Sequence, residues 1–235
     1  MPSSSPGLSF KNLEPPLSLG DYRLIAFDMD STLINIECVD EIADVAGRKA
    51  EVAAITEAAM RGEISDYKES LRRRVALLAG VPEAALREVH EQRLRLNPGA
   101  ETLVRRCQQA GLRTLLVSGG FTAFTDRLRE RLGIDFARSN VLEIEDGKLT
   151  GRMVDQPWGD ICDGEEKKRM LLSTCAELGI DPSQSIAVGD GANDLPMMGV
   201  AGLSVAYHAK PKVREAAMVA IDEGGLDRLL ELFGD

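Results

Sequence analysis

The sequence predicts an α/β protein with a Rossmann-like, doubly wound parallel sheet and a small all-helical cap inserted after strand one. From residue 97 onward, short apolar runs that suit buried strands alternate with helical patterns, as in sheets covered by helices on both faces. One such run also occurs early, at residues 23–27. The stretch between them, 38–96, has only helical patterns, so we expect it to lie outside the sheet.

The sequence pattern of residues 1–96 predicts a leader, a strand and the cap. Residues 1–20 contain several prolines and serines and predict an N-terminal leader that is flexible or lies along the surface. Strand one follows at 23–27. Glycines and prolines then separate four predicted helices, at 39–46, 50–61, 67–78 and 82–92. An insert at this point lies over the carboxyl ends of the strands, where such folds bind ligands, so we expect it to act as a lid.

The rest of the chain predicts the core. An Asp146-Gly147 pair between two alternating runs indicates a hairpin. The other predicted elements are helices at 98–110, 124–132, 165–178, 211–217 and 226–233, and strands at 114–117, 186–188, 203–205 and 220–221. We therefore predict a catalytic core formed by residues 21–37 and 97–235, with the cap at 38–96.

Composition argues against several classes of partner. The 235 residues allow a sizeable core, and 44% of them are hydrophobic. A formal charge of −10 and an aromatic content of 4% argue against nucleic-acid binding. No apolar run approaches the roughly 20 residues of a membrane span, and the start lacks a secretion signal. Since no Cys-x-x-Cys spacing occurs, we expect reduced thiols and a cytoplasmic protein.

Two pairs of carboxylates follow apolar strands. Asp28 and Asp30 come directly after strand one, and Asp190 and Asp194 follow the strand at 186–188. Strand side chains two residues apart point the same way, and the carboxyl ends of parallel strands meet at one edge of a sheet. A hard cation must neutralise such a cluster, and Mg²⁺ suits a few carboxylates combined with substrate phosphate oxygens. This is a layout for phosphoryl transfer.

A set of four motifs in order carries a family resemblance that covers about residues 24–235. The motifs are Asp28-x-Asp30-x-Thr32, Ser118-Gly119-Gly120, Lys167, and Gly189-Asp190-Gly191-x-Asn193-Asp194. With these motifs the chain resembles the haloacid dehalogenase superfamily of phosphatases, and within it the group that hydrolyses O-phosphoserine. A signalling receiver domain also collects acidic residues, a lysine and Mg²⁺, but it would lack the second aspartate of the first motif, the helical insert and the late Gly-Asp-Gly motif.

The resemblance implies roles for the acidic residues. Asp28 would be the nucleophile that forms an aspartyl phosphate, and Asp30 the general acid and base. Asp28, the backbone carbonyl of Asp30, and Asp190 would bind Mg²⁺, with Asp194 behind them. Two strand-end carboxylates can also simply cap a turn, but the downstream acidic motif makes that interpretation a poor one.

Other motif residues would hold the phosphate. Ser118 and Gly119 offer a hydroxyl and backbone N–H groups, although a plain strand-to-helix turn has the same sequence. Lys167 would supply a positive charge. Lys168 follows directly, and the family's helix pattern favours Lys167 over it. Asn193 is a further expected substrate contact.

The cap would provide specificity. By resemblance, Glu37 matches a carboxylate that binds a substrate ammonium group, and Arg74 matches the partner of a substrate carboxylate. Met60 and Tyr67 match apolar positions that close over the substrate. The segment before Tyr67 is one residue longer than the usual pattern, and tyrosine stands where phenylalanine is common.

Together these features predict an Mg²⁺-dependent phosphatase that hydrolyses O-phosphoserine, a small phosphomonoester, through an aspartyl phosphate. By resemblance, this would be the last step of serine biosynthesis. The alternative is a related phosphatase, or a phosphotransferase, acting on another small phosphomonoester. We expect no nucleic-acid or membrane partner, and the sequence leaves a monomer and a homodimer equally open.

Overall fold

The structure, a computed structural model, describes residues 5–60, 63–64 and 66–234, with only the backbone described for Met60. A sheet of eight strands forms its centre, in the order β1-β8-β7-β6-β2-β3-β4-β5. The strands are β1 Leu8–Phe10, β2 Leu24–Phe27, β3 Arg113–Phe121, β4 Phe136–Glu145, β5 Lys148–Val154, β6 Ser185–Gly189, β7 Leu203–Tyr207 and β8 Val219–Ile221. The six inner strands are parallel, and β1 and β5 are antiparallel edge strands. The predicted fold class is confirmed.

Helices cover the sheet and form the insert. Those of the insert are α1 Cys38–Val45, α2 Lys49–Met60, α3 Tyr67–Ala76 and α4 Ala84–Glu88, followed by a π-helical turn at Val89–Arg93. Those of the rest of the chain are α5 Ala100–Gln109, α6 Thr122–Leu132, α7 Gly164–Leu178, α8 Leu195–Met198 and α9 Pro211–Ala216. The predicted final helix is a 3-10 helix at Leu226–Leu232. No helix in the described part of the chain is long and apolar enough to cross a membrane.

The apolar run of β2 places the site at the centre of the sheet. All four of its side chains are buried, because Ile25 and Phe27 pack into the core on one face and Leu24 and Ala26 into the core on the other. β2 pairs in parallel with β3 on one side and with β6 on the other. Strands β3 to β5 lie on one side of β2 and β6 to β8 on the other, and the crevice at the carboxyl ends, where the strand order reverses in this way, is where open α/β sheets bind ligands.

The start of the chain contains a strand that was not predicted. Residues 1–20 were expected to form a leader that is flexible or lies along the surface, and Leu8–Phe10 within them forms a strand that pairs with Val219–Ile221. Leu8 and Leu19 are buried, and the Leu17 N–H donates to the carbonyl of Leu232 at 2.8 Å. The described residues 5–20 therefore lie along the surface of the core, where they pair with its edge strand. The three-residue strand is too short and too close to prolines to give a strand pattern of its own.

The insert lies over the carboxyl ends of the strands, and it also bonds to β5 in the hairpin at the edge of the sheet. The predicted hairpin between β4 and β5 is present, and Asp146 and Gly147 have the positive φ angles, 49° and 70°, that its tight turn requires. The Gly80 N–H donates to the Leu149 carbonyl, and the Leu149 N–H donates to the Val81 carbonyl, each at 2.8 Å. The loop between α3 and α4 is thereby paired with β5. The division into a core and a cap at 38–96 stays a prediction.

Candidate active site

The structure brings the predicted carboxylates together. Asp28 follows β2, and Asp190 and Asp194 follow β6, its parallel neighbour. Single oxygen atoms of these three carboxylates all lie within 4.8 Å of one another. The hydroxyl of Thr32 also donates to Asp190 Oδ1 at 3.3 Å, so the turn after β2 is bonded to the loop after β6. The parallel pairing of β2 with β6 therefore brings the acidic residues together.

Lys167 is the cation of this cluster. Its side chain is fully buried, and its Nζ lies 2.6 Å from Asp28 Oδ1 and 2.7 Å from Asp194 Oδ1. Although burial opposes the charged form, the Asp194 and Asp28 charges hold the pKa of Lys167 well above its usual value. Lys168, by contrast, is partly exposed, with its Nζ 3.9 Å from Glu165. Of the two lysines, the structure brings Lys167 into the site.

Asp194 organises the loop around it. Its Oδ1 accepts from Lys167, and its Oδ2 accepts from the backbone N–H groups of Asp190 and Gly191 at 3.1 and 2.9 Å. A Cβ atom on Gly189 would lie 2.4 Å from the Asp194 Cγ atom, so glycine is required there. Because both oxygens of Asp194 are already bonded, this carboxylate is suited to hold the loop in place behind the cluster.

The cluster fits a hard divalent cation. Burial and the Asp194 charge raise the pKa of Asp28 despite Lys167, and they raise the pKa of Asp190 to about 7. One lysine therefore does not balance the buried negative charge. Carboxylate oxygens are the ligands that Mg²⁺ prefers, and a site with few of them leaves room for substrate oxygens. Asp28, Asp190 and the Asp30 backbone carbonyl remain our predicted ligands.

Asp30 has a separate environment from Asp28. The backbone N–H of Cys38 donates to Asp30 Oδ2 at 2.9 Å, and the Cys38 thiol donates to Oδ1 at 3.1 Å. Burial and the Glu37 charge raise the pKa of Asp30 to about 7. Cys38 begins α1, so the first residue of the insert holds this carboxyl group in one orientation. The arrangement suits a group that gives and takes a proton near neutral pH.

The phosphate motif forms an irregular segment at the end of β3. Pairing between β3 and β4 is irregular between Val117 and Phe121, which includes the Ser-Gly-Gly motif. The Ser118 hydroxyl accepts from the Gly120 N–H at 2.8 Å, so this N–H is already bonded within the motif. The side chain of Asn140 donates to the Gly119 carbonyl at 2.8 Å and fixes the segment to β4.

A cavity of about 480 Å³ separates the cluster from the insert. Its core side is lined by Asp28, Asp30, Asp190, Asn193 and the phosphate motif, and its cap side includes Glu37, Tyr67 and Arg74. The Ser31 hydroxyl donates to Glu37 Oε1 at 2.7 Å. Most of the predicted site residues therefore line one cavity, and Lys167 and Asp194 lie behind that lining, where Lys167 contacts Asp28. The side chain of Met60 lies outside the described residues.

The N-terminus of α3 contacts the core closely. The Tyr67 hydroxyl lies only 2.0 Å from the position that a Cβ on Gly119 would occupy, so this tyrosine fits against the phosphate motif because residue 119 is a glycine. Lys68 forms an ion pair with Asp160 at 2.7 Å, and Arg72 pairs with the same carboxylate. These contacts hold α3 against the segment that precedes α7.

Sequence reasoning missed several residues of the site. They are Cys38, which bonds to Asp30, Asp40, which lines the cavity, and Asn140 and Lys210, which contact segments distant along the chain. Lys210 lines the cavity, and its N–H donates to the Asp190 carbonyl at 3.3 Å. The only local signal was at Lys210, which directly precedes the Pro211 that begins α9. The other three lie in ordinary helix and strand patterns.

Comparisons with known proteins agree with this geometry. The family model of haloacid dehalogenase-like hydrolases matches residues 25–199. A phosphoserine phosphatase of Polaromonas sp. (strain JS666) is 77% identical over 228 residues, which cover 97% of each chain. A phosphoserine phosphatase of Albidiferax ferrireducens is 72% identical over 229 residues, again with 97% of each chain covered.

Solved structures are similar as well. A phosphoserine phosphatase solved as an analogue of its phospho-aspartyl intermediate has a TM-score of 0.82 and 38% identity, covering 90% of this chain and 99% of that one. A haloacid dehalogenase family hydrolase from Salmonella enterica serovar Typhi has a TM-score of 0.85 and 42% identity, covering 94% and 73%. The predicted family and the resemblance to phosphoserine phosphatases are confirmed. The chain therefore belongs to the haloacid dehalogenase-like hydrolase family.

Proposed function

We propose that this enzyme hydrolyses O-phosphoserine to serine and inorganic phosphate through a phosphoryl group carried by Asp28, with Mg²⁺ bound. One observation carries the proposal. The cavity is lined on its core side by the buried carboxylate of Asp28, which contacts Lys167 behind it, and on its cap side by the carboxylate of Glu37 and the guanidinium of Arg74. A phosphate and an amino-acid group joined in one small molecule complement the two sides. The names of the similar proteins support the same substrate.

In the first half of the reaction, a carboxylate oxygen of Asp28 forms a bond to phosphorus. The bond between phosphorus and the serine oxygen breaks, and that oxygen takes a proton from the carboxyl group of Asp30. Serine leaves, and the phosphoryl group remains on Asp28 as an acyl phosphate. Splitting the hydrolysis in this way replaces one difficult step by two easier ones.

In the second half, Asp30 accepts a proton from a water molecule whose oxygen attacks the same phosphorus atom. The bond between phosphorus and Asp28 breaks, so that inorganic phosphate is released and both carboxyl groups return to their starting states. The two hydrogen bonds from Cys38 keep the Asp30 carboxyl group in one orientation during both transfers. The same residue therefore acts first as an acid and then as a base.

Other groups hold the phosphate and balance its charge. Lys167 contacts Asp28 Oδ1 directly, so its ammonium group is beside any phosphoryl group bound there. Ser118, Gly119 and Asn193 line the same part of the cavity. Asp28, Asp190 and the Asp30 carbonyl would hold Mg²⁺, which when bound supplies positive charge to the phosphate oxygens.

Discrimination between substrates comes from the cap side. Glu37 suits the ammonium group of phosphoserine, and Arg74 suits its carboxylate through two parallel hydrogen bonds. A ligand that leaves such a charge unpaired and desolvated loses about 2–5 kcal/mol of binding free energy. With free serine as the product, we assign the enzyme to the last step of serine biosynthesis in the cytoplasm.

The test is a phosphate-release assay with and without Mg²⁺ on O-phosphoserine, phosphoethanolamine and glycerol phosphate. We expect the first to be hydrolysed far more efficiently, and activity to need the metal. Arg74→Ala should lower kcat/KM for phosphoserine and spare glycerol phosphate, and Glu37→Gln should do the same through the ammonium group. Equal wild-type efficiencies would refute the substrate. Transfer of phosphate to an added alcohol in place of water would identify a phosphotransferase.

A further inference from the structure

Two buried polar atoms on the cap side of the cavity have no hydrogen-bond partner among the described residues. They are Oδ1 of Asp40, an acceptor, and Nε of Arg74, a donor. Both residues line the cavity, Asp40 from the first turn of α1 and Arg74 from α3. Buried polar atoms in native proteins nearly always have a partner, so an orphaned pair needs an explanation.

The positions and the chemistry of these two atoms limit which hydrogen-bond partner each of them can have. Each is covered by protein, so a ligand in the cavity reaches other atoms of these side chains. One is an acceptor and the other a donor, so each is the kind of partner that the other lacks. Both side chains also face the same cavity, and although burial and the Glu37 charge raise the pKa of Asp40, the Arg74 charge lowers it. The two side chains therefore interact across the gap between α1 and α3.

We propose that Asp40 is a positioning residue for Arg74: its Oδ1 accepts a hydrogen bond from Arg74 Nε when substrate is bound. The guanidinium group is planar, so a bond at Nε fixes the direction of the two terminal nitrogens. Those nitrogens are then free to bind a substrate carboxylate as a fork. This inference rests on the proposed function, because it takes Arg74 to be the carboxylate-binding residue.

A different role for Asp40 would change the kinetic constants of a different set of substrates. Asp40 is three residues after Glu37, so both carboxylates lie on one side of the start of α1. Asp40 could therefore serve as a second acceptor for the substrate ammonium group. Three substrates separate the two roles: phosphoserine has both charges, phosphoethanolamine has only the ammonium group, and phosphoglycerate has a hydroxyl in place of the ammonium.

The experiment measures kcat and KM of the Mg²⁺-loaded enzyme on these three substrates. Asp40→Ala should raise KM for phosphoserine and phosphoglycerate by about tenfold to a hundredfold, and change phosphoethanolamine by less than about twofold. Asp40→Asn, which has nearly the same shape and keeps an oxygen acceptor, should lose less. Asp44→Asn removes a carboxylate from the same helix outside the cavity and should leave all three substrates unchanged.

A double variant tests whether Asp40 acts through Arg74. In an Arg74→Lys background, Asp40→Ala should cause no further loss on phosphoserine, because lysine has no Nε–H fork to orient. An additive loss, or a loss on phosphoethanolamine as large as on phosphoserine, would overturn the proposal. If the wild type itself does not prefer phosphoserine over phosphoethanolamine, the proposed substrate fails first, in the wild-type data alone, and the role of Asp40 fails with it.

Discussion

Replacing Lys167 by methionine tests how the buried charges of the site are balanced. The lysine side chain has no exposed surface, and its Nζ contacts Asp28 and Asp194 at 2.6 and 2.7 Å. Methionine has a similar length and no charge, so the variant keeps the packing and leaves two buried carboxylates without their cation. Removing one partner of a buried ion pair costs about 3–5 kcal/mol, a large part of the roughly 5–15 kcal/mol that stabilises a typical domain.

The loss of unfolding free energy in Lys167→Met should also depend on pH. Burial and the Asp194 charge already raise the pKa of Asp28 above 3.8, its ordinary value, and loss of the Lys167 charge raises it further. The folded variant therefore binds this proton more tightly than the unfolded chain does. The free energy of unfolding of the variant therefore falls as the pH rises. Its difference from the wild-type value is larger at about pH 8 than at about pH 5.

The assay is urea unfolding of both proteins in the presence of a chelator, so that no divalent cation replaces the lost charge. Lys168→Met is the matched control, since it removes the neighbouring, partly exposed lysine of the same helix and should change the unfolding free energy by less than about 0.5 kcal/mol. A Lys167→Met deficit below about 1 kcal/mol at neutral pH, or a deficit that does not shrink on acidification, would refute this account of the site's electrostatics.

Two further predictions concern turnover and closure of the site. Asp30→Asn should lower kcat for phosphoserine by about 10²–10⁴-fold and that for p-nitrophenyl phosphate much less, because a nitrophenolate leaves without a proton; equal losses in steady-state assays would exclude Asp30 as the acid. Gly119→Ala should sharply lower kcat/KM, since its Cβ would lie 2.0 Å from the Tyr67 hydroxyl but 3.2 Å from the ring carbon that bears it. Adding Tyr67→Phe should therefore restore much of the activity, and full activity of Gly119→Ala alone would contradict the close contact.

The sequence was sufficient for the parts of the fold that local patterns specify. The run at 24–27 is apolar throughout because β2 is buried on both faces, and the Asp146-Gly147 pair suits a turn with two positive φ angles. The strand Leu8–Phe10 escaped prediction because its partner, Val219–Ile221, lies at the other end of the chain. Only the assembled sheet edge reveals that pairing.

The residues of the site also fall into those that local patterns predict and those that only the folded chain reveals. Carboxylates at strand ends were predictable, because parallel pairing brings the ends of β2 and β6 together. Choosing between Lys167 and Lys168 from the residues alone was not, since adjacent helix positions differ only in the direction they face. Cys38 and Asn140 were missed because each acts by a hydrogen bond that only the folded chain reveals, to Asp30 and Gly119 respectively.

The central claim is that Asp28 carries the phosphoryl group during turnover. The most direct measurement is rapid acid quenching of the Mg²⁺-loaded enzyme during turnover of radiolabelled O-phosphoserine, followed by peptide mapping of the trapped label. The account predicts label on the peptide that contains Asp28, at the Asp28 side chain, and neither label nor turnover in Asp28→Asn. Label on another residue, or turnover of the Asp28→Asn protein near the wild-type rate, would contradict it.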